Sequence, residues 1–291
     1  GMGRELMRRG APFQQPEWSA LALMETPGLV KEVHQSFAAA GSDILTTSNY
    51  AVVPFHIGEQ RFEAEGHRLT ALAGQLAREA GSVYRCRIAG SIPPLFGSYR
   101  PDLFVPGQAP QLLETIIDAL SPHVDFWLLE TVSSIVEAKI LSEVISGDAR
   151  ALWVSFTLLD SRHSRRERPC LRSGEGVVDA VHAAIDFNAS ALLFNCSQPE
   201  VMESAVDVVK RELNRLEIEL PIGVYANAFP PQDEIAQANS DISAIRDDLG
   251  PSGYLAFVDR WICRGVTIVG GCCGIGPEHI AVLHKRLRLN P

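Results

Sequence analysis

Two patterns of hydrophobic residues alternate along the chain. Short, nearly continuous apolar runs predict strands, and longer segments with apolar residues about every three to four positions predict helices. The helical pattern is clear where Leu29, Val33 and Phe37 recur at a spacing of four. The predicted strands are Asp43–Ser48, Tyr84–Gly90, Phe126–Glu130, Leu152–Thr157, Ala191–Asn195, Ile222–Tyr225 and Thr267–Gly270.

Amphipathic helices are predicted between these strands. They are Arg4–Arg9, Gly28–Ala40, Arg61–Ala80, Gln111–Leu120, Ser133–Ile145, Gly176–Phe187, Glu200–Leu216, Gly253–Arg264 and Pro277–Leu287. Strands that are apolar on both faces are typical of a parallel sheet covered by helices. The α/β pattern favours a (β/α)8 TIM-type barrel whose first strand is short or missing, with residues 1–291 as a single domain. A doubly wound open sheet is the alternative.

Polar residues that could take part in catalysis or binding follow the ends of several predicted strands. Tyr50, Glu130 and Cys196 each come at or just after such an end, and Cys272 and Cys273 follow the last strand. The carboxyl ends of parallel strands in a barrel meet on one rim, where such enzymes build their active sites. We therefore expect these side chains to lie together.

Three of the cysteines have the pattern of a metal site. Adjacent residues of a straight strand point to opposite faces, so Cys272 and Cys273 can share an ion only if the chain bends, which the flanking Gly271 and Gly274 permit. Cys196, from another strand end, supplies a third sulfur. Three thiolates with one open position are typical of a reactive zinc site. The alternative is that these are small buried core residues.

Composition narrows the function classes. The chain has 291 residues with a formal net charge of −9, which disfavours a nucleic-acid partner. Its one basic stretch, Arg162–Arg168, is interpreted as a surface loop. No apolar stretch is long enough to span a membrane, and six cysteines without a secretion signal indicate a reducing cytoplasm rather than a disulfide framework. There is neither a Gly-x-Ser-x-Gly nor a Cys-x-x-Cys motif, which disfavours a hydrolase and a redox protein.

The motifs together resemble those of the homocysteine S-methyltransferase family. The resemblance rests on Asn195-Cys196 followed by the glycine-flanked Cys272-Cys273 and then Pro277-Glu278-His279-Ile280. It extends over nearly the whole chain through the segments Thr46–Tyr50, Gly90–Ile92 and Leu128–Thr131. It implies a zinc-dependent barrel that transfers a methyl group to the thiol of homocysteine and yields methionine.

The resemblance also implies roles for six residues of this chain. Three match zinc ligands, one matches the glutamate that holds the substrate amino group, and two match aromatic residues of the substrate cavity. These are Cys196, Cys272 and Cys273 for zinc, Glu130 for the amino group, and Tyr50 and Trp18 for the cavity. Relatives open with a strand ending in Asp-Gly-Gly before the equivalent of Met2-Gly3, and this sequence has no such strand.

The methyl donor is expected to be a small onium compound. S-Methylmethionine is favoured, because the chain is too short for cobalamin and folate modules and lacks the long C-terminal extension expected for betaine. Aromatic faces bind onium groups, and Trp18, Trp127, Tyr50 and Phe55 are the candidates.

A non-catalytic protein that binds zinc and a thiol amino acid, with part of the substrate cavity missing, is the alternative function. The partners expected are homocysteine and the methyl donor, with neither nucleic acid nor membrane. A homo-oligomer is left open.

Overall fold

Seven parallel strands form one sheet in the computed structural model, which describes residues 1–160, 168–230 and 244–289. Within the sheet the strands follow their order in the chain. Residues from β1, β3, β5 and β7 line one common cavity, so the sheet is curled around it. The strands are β1 (Ile44–Thr46), β2 (Arg87–Ile92), β3 (Phe126–Val132), β4 (Leu152–Phe156), β5 (Ala191–Asn195), β6 (Ile222–Tyr225) and β7 (Ile268–Val269).

Every strand is followed by at least one helix, and three helices precede β1. Proline occupies the first turn of several of them, where its fixed φ suits the helix and its missing N–H costs nothing. The helices are α1 (Met2–Arg8), α2 (Ser19–Glu25), α3 (Pro27–Ala39), α4 (Pro54–Ile57), α5 (Glu59–Tyr84), α6 (Ala109–Leu120), α7 (Ile135–Ile145), α8 (Val177–Asp186), α9 (Pro199–Leu216), α10 (Pro251–Cys263) and α11 (Pro277–Leu289).

The predicted parallel α/β fold is confirmed. The sequential strand order excludes a doubly wound sheet, in which the order reverses at a switch point. Among the described residues, β1 pairs only with β2 and β7 only with β6, so a closed eight-stranded barrel is not shown.

One predicted strand begins in the wrong place. Tyr84–Gly90 was expected to be extended, but α5 continues to Tyr84 and ends where Arg85 takes a left-handed φ of 59°. Val83 and Tyr84 have the apolar character of a strand start, yet they are exposed on the last turn of the helix. Cys86, predicted within the strand, precedes β2 and donates a hydrogen bond to the Ser42 carbonyl.

The two faces of the sheet pack against different layers. Trp127, Val154 and Phe194 belong to the large core between the sheet and the helices. Their neighbours point inward, where Phe126 and Trp153 pack with ring centroids 4.4 Å apart. This alternation follows from the period of two along a strand, and it leaves the inward face to form the walls of the cavity.

The remaining regions add little to the chemistry. Among the described helices, none has the combination of length and hydropathy that crossing a bilayer requires. Most of the basic stretch interpreted above as a surface loop, residues 162–167, lies outside the described residues.

Candidate metal centre and substrate cavity

A cavity of about 620 Å³ opens at the carboxyl ends of the strands. All six residues that the sequence singled out line it. They are Trp18, Tyr50, Glu130, Cys196, Cys272 and Cys273. Of the other aromatic candidates, Trp127 is fully buried under the guanidinium of Arg150, and neither it nor Phe55 is among the described residues that line the cavity.

The Sγ atoms of Cys196, Cys272 and Cys273, here called the sulfur triad, converge on one side of the cavity. Each lies within 4.8 Å of the other two, and within the described residues no other group of three His, Cys, Asp or Glu side chains is clustered in this way. The Cys272 thiol donates to Cys196 Sγ across 2.9 Å. The structure thus brings together three sulfurs that are separated by up to 77 positions in the sequence.

A tight turn carries the two adjacent cysteines of the triad. Cys272 donates its backbone N–H to the Ala226 carbonyl, and the Cys273 carbonyl accepts from Ala228. Gly274 has a φ of 86°, and a Cβ there would lie 2.8 Å from Ala228 Cβ, so only glycine fits this turn without strain. The chain therefore bends after β7, as the flanking glycines predict.

The three thiols do not ionise alike. Hydrogen bonds from Cys196 and Cys272 hold the pKa of Cys273 well below its ordinary value. Hydrogen bonds to Cys196 and Cys273, together with burial, raise the pKa of Cys272 well above it. In the metal-free site the negative charge is therefore held on Cys273, where hydrogen bonds from the neighbouring thiols stabilise it.

Glu130 is the carboxylate that lies near the sulfur triad. It lies in β3, and burial raises its pKa to about 7, although a 2.6 Å hydrogen bond from the Ser91 hydroxyl works in the opposite direction. Ser91 is itself fixed by a buried network, because its N–H donates to Thr47 Oγ1 and its carbonyl accepts from Asn49 Nδ2. The motif residues after β1 therefore position the partner of Glu130.

Asn195 orders the chain beside Glu130. Its Oδ1 accepts from the Thr131 N–H at 3.1 Å and from the Ser155 hydroxyl at 2.8 Å, and its Nδ2 donates to Thr131 Oγ1 at 2.7 Å. Asn195 is fully buried, so each of these bonds replaces a hydrogen bond to water that its side-chain amide lost on folding. The Asn of the Asn195-Cys196 pair thus joins β3, β4 and β5 at the level of the sulfur triad.

An aromatic wall lies at another part of the cavity. The Trp18 ring is 5.9 Å from Phe13 and 6.0 Å from His56, centroid to centroid, and its Nε1 donates to Gln15. Tyr50 also lines the cavity and shares a 2.6 Å hydrogen bond with the Ser98 hydroxyl.

Four residues of the cavity have left-handed backbones without being glycine. Trp18, Tyr99, Thr131 and Cys196 have φ values of 49°, 65°, 61° and 49°. The other three non-glycine residues with positive φ in the described chain follow helix C-termini, where this conformation is common. Backbone strain of this kind gathers at functional sites, because it aims side chains that a relaxed chain would turn elsewhere.

Sequence reasoning missed two residues that touch the triad or its surroundings. Tyr99 Oη donates to Cys196 Sγ at 2.9 Å, and the guanidinium of Arg172 lies over the Tyr99 ring, 4.8 Å from its centroid. Tyr99 does follow the end of a strand, β2, by a few residues, which is the signal that could have drawn attention to it. Arg172 carried no such signal.

Comparison with known proteins agrees with this geometry. Residues 1–287 match the family described as homocysteine S-methyltransferase. Homocysteine S-methyltransferase of Escherichia coli is 28% identical over 98% of this chain and 93% of its own length. Selenocysteine methyltransferase of Astragalus bisulcatus is 25% identical over 99% of this chain and 90% of its own.

Solved structures give the same result. The crystal structure of the homocysteine methyltransferase MmuM from Escherichia coli, in its metallated form, superposes with a TM-score of 0.76. The two sequences are 27% identical, and the match covers 98% of this chain and 94% of that one.

Proposed function

Because this chain belongs to the homocysteine S-methyltransferase family and is therefore a methyltransferase, we propose that it methylates homocysteine with a small onium donor, S-methylmethionine first among them, and holds zinc on the sulfur triad. Residues 1–291 act as one catalytic domain of the (β/α)8 type in the cytoplasm. The observation that carries the proposal is the convergence of three cysteine sulfurs within 4.8 Å in a cavity that also holds a buried carboxylate.

The sulfur triad fits a zinc ion in its chemistry and its spacing. Thiolates are preferred zinc ligands, and Zn–S bonds of about 2.3 Å at tetrahedral angles separate the sulfurs by roughly 3.8 Å. The triad, with all separations within 4.8 Å, needs only small side-chain adjustments to reach this spacing. Zinc bound there supplies a Lewis acid with one open position for a substrate thiol, which it keeps deprotonated near neutral pH.

Glu130 is proposed to hold the substrate amino group. Homocysteine carries an ammonium group, and the pKa of Glu130 is raised because its charged form has lost contact with water. Binding the ammonium would restore the charge of Glu130. The hydroxyl of Ser91 fixes the carboxylate from its other side and so sets the direction in which the amino acid lies.

The donor is proposed to bind against the aromatic wall formed by Trp18 and Phe13. A sulfonium or quaternary ammonium group is attracted to an aromatic face, and the negative sulfur triad attracts the same cation. In the reaction the homocysteine sulfur forms a bond to the methyl carbon, the methyl–sulfonium bond of the donor breaks, and its electron pair stays on the departing thioether. The proton of the homocysteine thiol is released to solvent. The residues of the cavity contribute positioning and charge complementarity.

Cys273→Ala tests the proposal, with Cys263→Ser as the matched control. Cys263 is exposed at the end of α10 and lies outside the cavity. After reconstitution with zinc, the wild type and Cys263→Ser should hold about one zinc per chain and form methionine from homocysteine and S-methylmethionine. Cys273→Ala should lose both zinc and turnover. Full turnover in Cys273→Ala would refute the assignment, and turnover with betaine alone would replace the proposed donor.

A further inference from the structure

Beyond the sulfur triad itself, one hydrogen bond reaches it from a different part of the fold. Tyr99 Oη lies 2.9 Å from Cys196 Sγ. A metal-bound thiolate has no proton to give, so the phenol hydroxyl must be the donor. Cys196 is buried, which removes water as a competing donor and makes this contact stronger than the same contact at a surface.

The Tyr99 ring is held from both sides. Its backbone has a φ of 65°, a conformation that tyrosine rarely adopts and that aims the ring toward the cavity. The Arg172 guanidinium covers one face of the ring at 4.8 Å. A cation over the face of a phenol withdraws electron density from it and makes the hydroxyl a better donor.

Arg172 is fixed in turn by a buried ion pair with Asp160. The other oxygen of Asp160 accepts from the Gln198 N–H at 2.9 Å, and the Asp160 carbonyl accepts from Gln198 Nε2 at 3.1 Å. Gln198 is the N-cap residue of α9, two positions after Cys196. The chain of contacts from Arg172 thus returns to the segment that carries the cysteine.

We propose that Tyr99, oriented by Arg172, is a positioning residue that donates a hydrogen bond to the Cys196 thiolate and so limits the electron density this sulfur gives to the bound metal. The inference rests on the proposed function, since it needs a metal on the triad. Three cysteine thiolates and a substrate thiolate would give a zinc centre a formal charge of −2. A hydrogen bond to one protein thiolate offsets part of this negative charge at a sulfur that does not react.

The consequence is an asymmetry among the three ligands. The structure gives Cys196 a phenol donor, whereas Cys273 lies near the positive charges of the N-terminus and Arg4. Partners of this kind around metal ligands fix ligand orientation and tune the metal, and their removal costs about 10- to 100-fold in metal affinity. Tyr99→Phe removes the hydroxyl and keeps the ring under Arg172, so it isolates this one bond.

The test uses cobalt(II)-substituted protein, because the sulfur-to-cobalt charge-transfer bands report the electron density on the thiolates. Wild type and Tyr99→Phe are compared with Tyr50→Phe, which removes a hydroxyl from the same cavity that bonds Ser98 and no sulfur. In Tyr99→Phe the bands should move to lower energy, because Cys196 Sγ regains electron density. Chelator competition should show metal bound about tenfold more weakly, because the same sulfur loses the contact that orients it. Tyr50→Phe should leave both readouts at the wild-type values. Urea unfolding of the metal-free proteins checks that both variants fold.

Each outcome has one meaning. Wild-type band positions and affinity in Tyr99→Phe would overturn the role of Tyr99 and leave the metal centre standing. An equal shift in Tyr50→Phe would also overturn it, because the effect would then belong to the cavity rather than to the bond. A wild-type protein that takes up no cobalt or zinc would overturn both this inference and the proposed function.

Discussion

Replacing Glu130 with glutamine should weaken homocysteine binding without removing the metal. The substitution keeps the size of the side chain and its contact with the Ser91 hydroxyl, but it exchanges a charged acceptor for a neutral one. A hydrogen bond to a charged group is worth about 1.5–3 kcal/mol, which corresponds to a roughly 10- to 150-fold rise in the homocysteine dissociation constant. The metal content should stay at the wild-type value, since Glu130 does not belong to the sulfur triad.

The pH dependence of homocysteine binding, compared between the wild type and the same variant, tests the role of Glu130 more directly. The pKa of Glu130 is about 7 in the empty cavity, so below this pH the side chain is protonated and cannot pair with an ammonium group. Protonation of Glu130 should therefore add a further loss of wild-type affinity, about tenfold per unit as the pH drops below about 7. Glutamine does not titrate, so Glu130→Gln should lack this additional fall and keep only the pH dependence that comes from release of the thiol proton.

Glu137→Gln provides the matched control. Burial also raises the pKa of Glu137 to about 7, but this residue lies in the first turn of α7, accepts from the Ser133 N–H at 2.9 Å, and does not line the cavity. Titration calorimetry with homocysteine across pH measures all three proteins. If Glu130→Gln binds homocysteine as the wild type does, or if its affinity still falls below pH 7 as the wild type's does, the role assigned to Glu130 is refuted.

Two further substitutions test the aromatic wall and the turn. Trp18→Leu should raise the KM of the donor about 2- to 30-fold, the range expected for a lost cation–π contact, while initial rates show the KM of homocysteine unchanged; a rise in both constants would contradict the placement of the donor. Gly274→Ala should weaken zinc retention in a chelator competition, because a residue with a Cβ at a φ of 86° costs about 1–2 kcal/mol and meets Ala228. Gly147→Ala, at a site with open space, should leave retention unchanged.

Most of the framework could be predicted from hydrophobic pattern alone. The bounds of β5 and β6 coincide with the predicted Ala191–Asn195 and Ile222–Tyr225, since both are short apolar runs between clear turn residues. The error at Tyr84 has a physical cause, because apolar residues on an exposed last helical turn look like the start of a strand. The hydrophobic pattern shows how apolar a residue is, but it does not show whether that residue ends a helix or begins a strand.

The residues of the candidate site could be predicted where they lie at strand ends, but not where they lie in loops. Cys196, Cys272 and Glu130 follow or end strands, so topology alone places them near one another. The contact between Tyr99 and Cys196 spans 97 positions in the sequence. It depends on the left-handed backbone of Tyr99 and on the position of Arg172 over the Tyr99 ring. No periodicity in the sequence encodes such a contact, and the roles proposed for these residues remain predictions.

The left-handed backbones of Trp18, Tyr99, Thr131 and Cys196 have a consequence for attempts to make this protein more heat-resistant. Each such residue lowers the free energy of unfolding by about 1–2 kcal/mol relative to glycine at the same φ. A screen for thermal tolerance alone would therefore reward glycine at these four positions, and each gain would remove a side chain from the cavity. Directed evolution of a robust variant should hold the four fixed and seek its stabilisation in the helical layer.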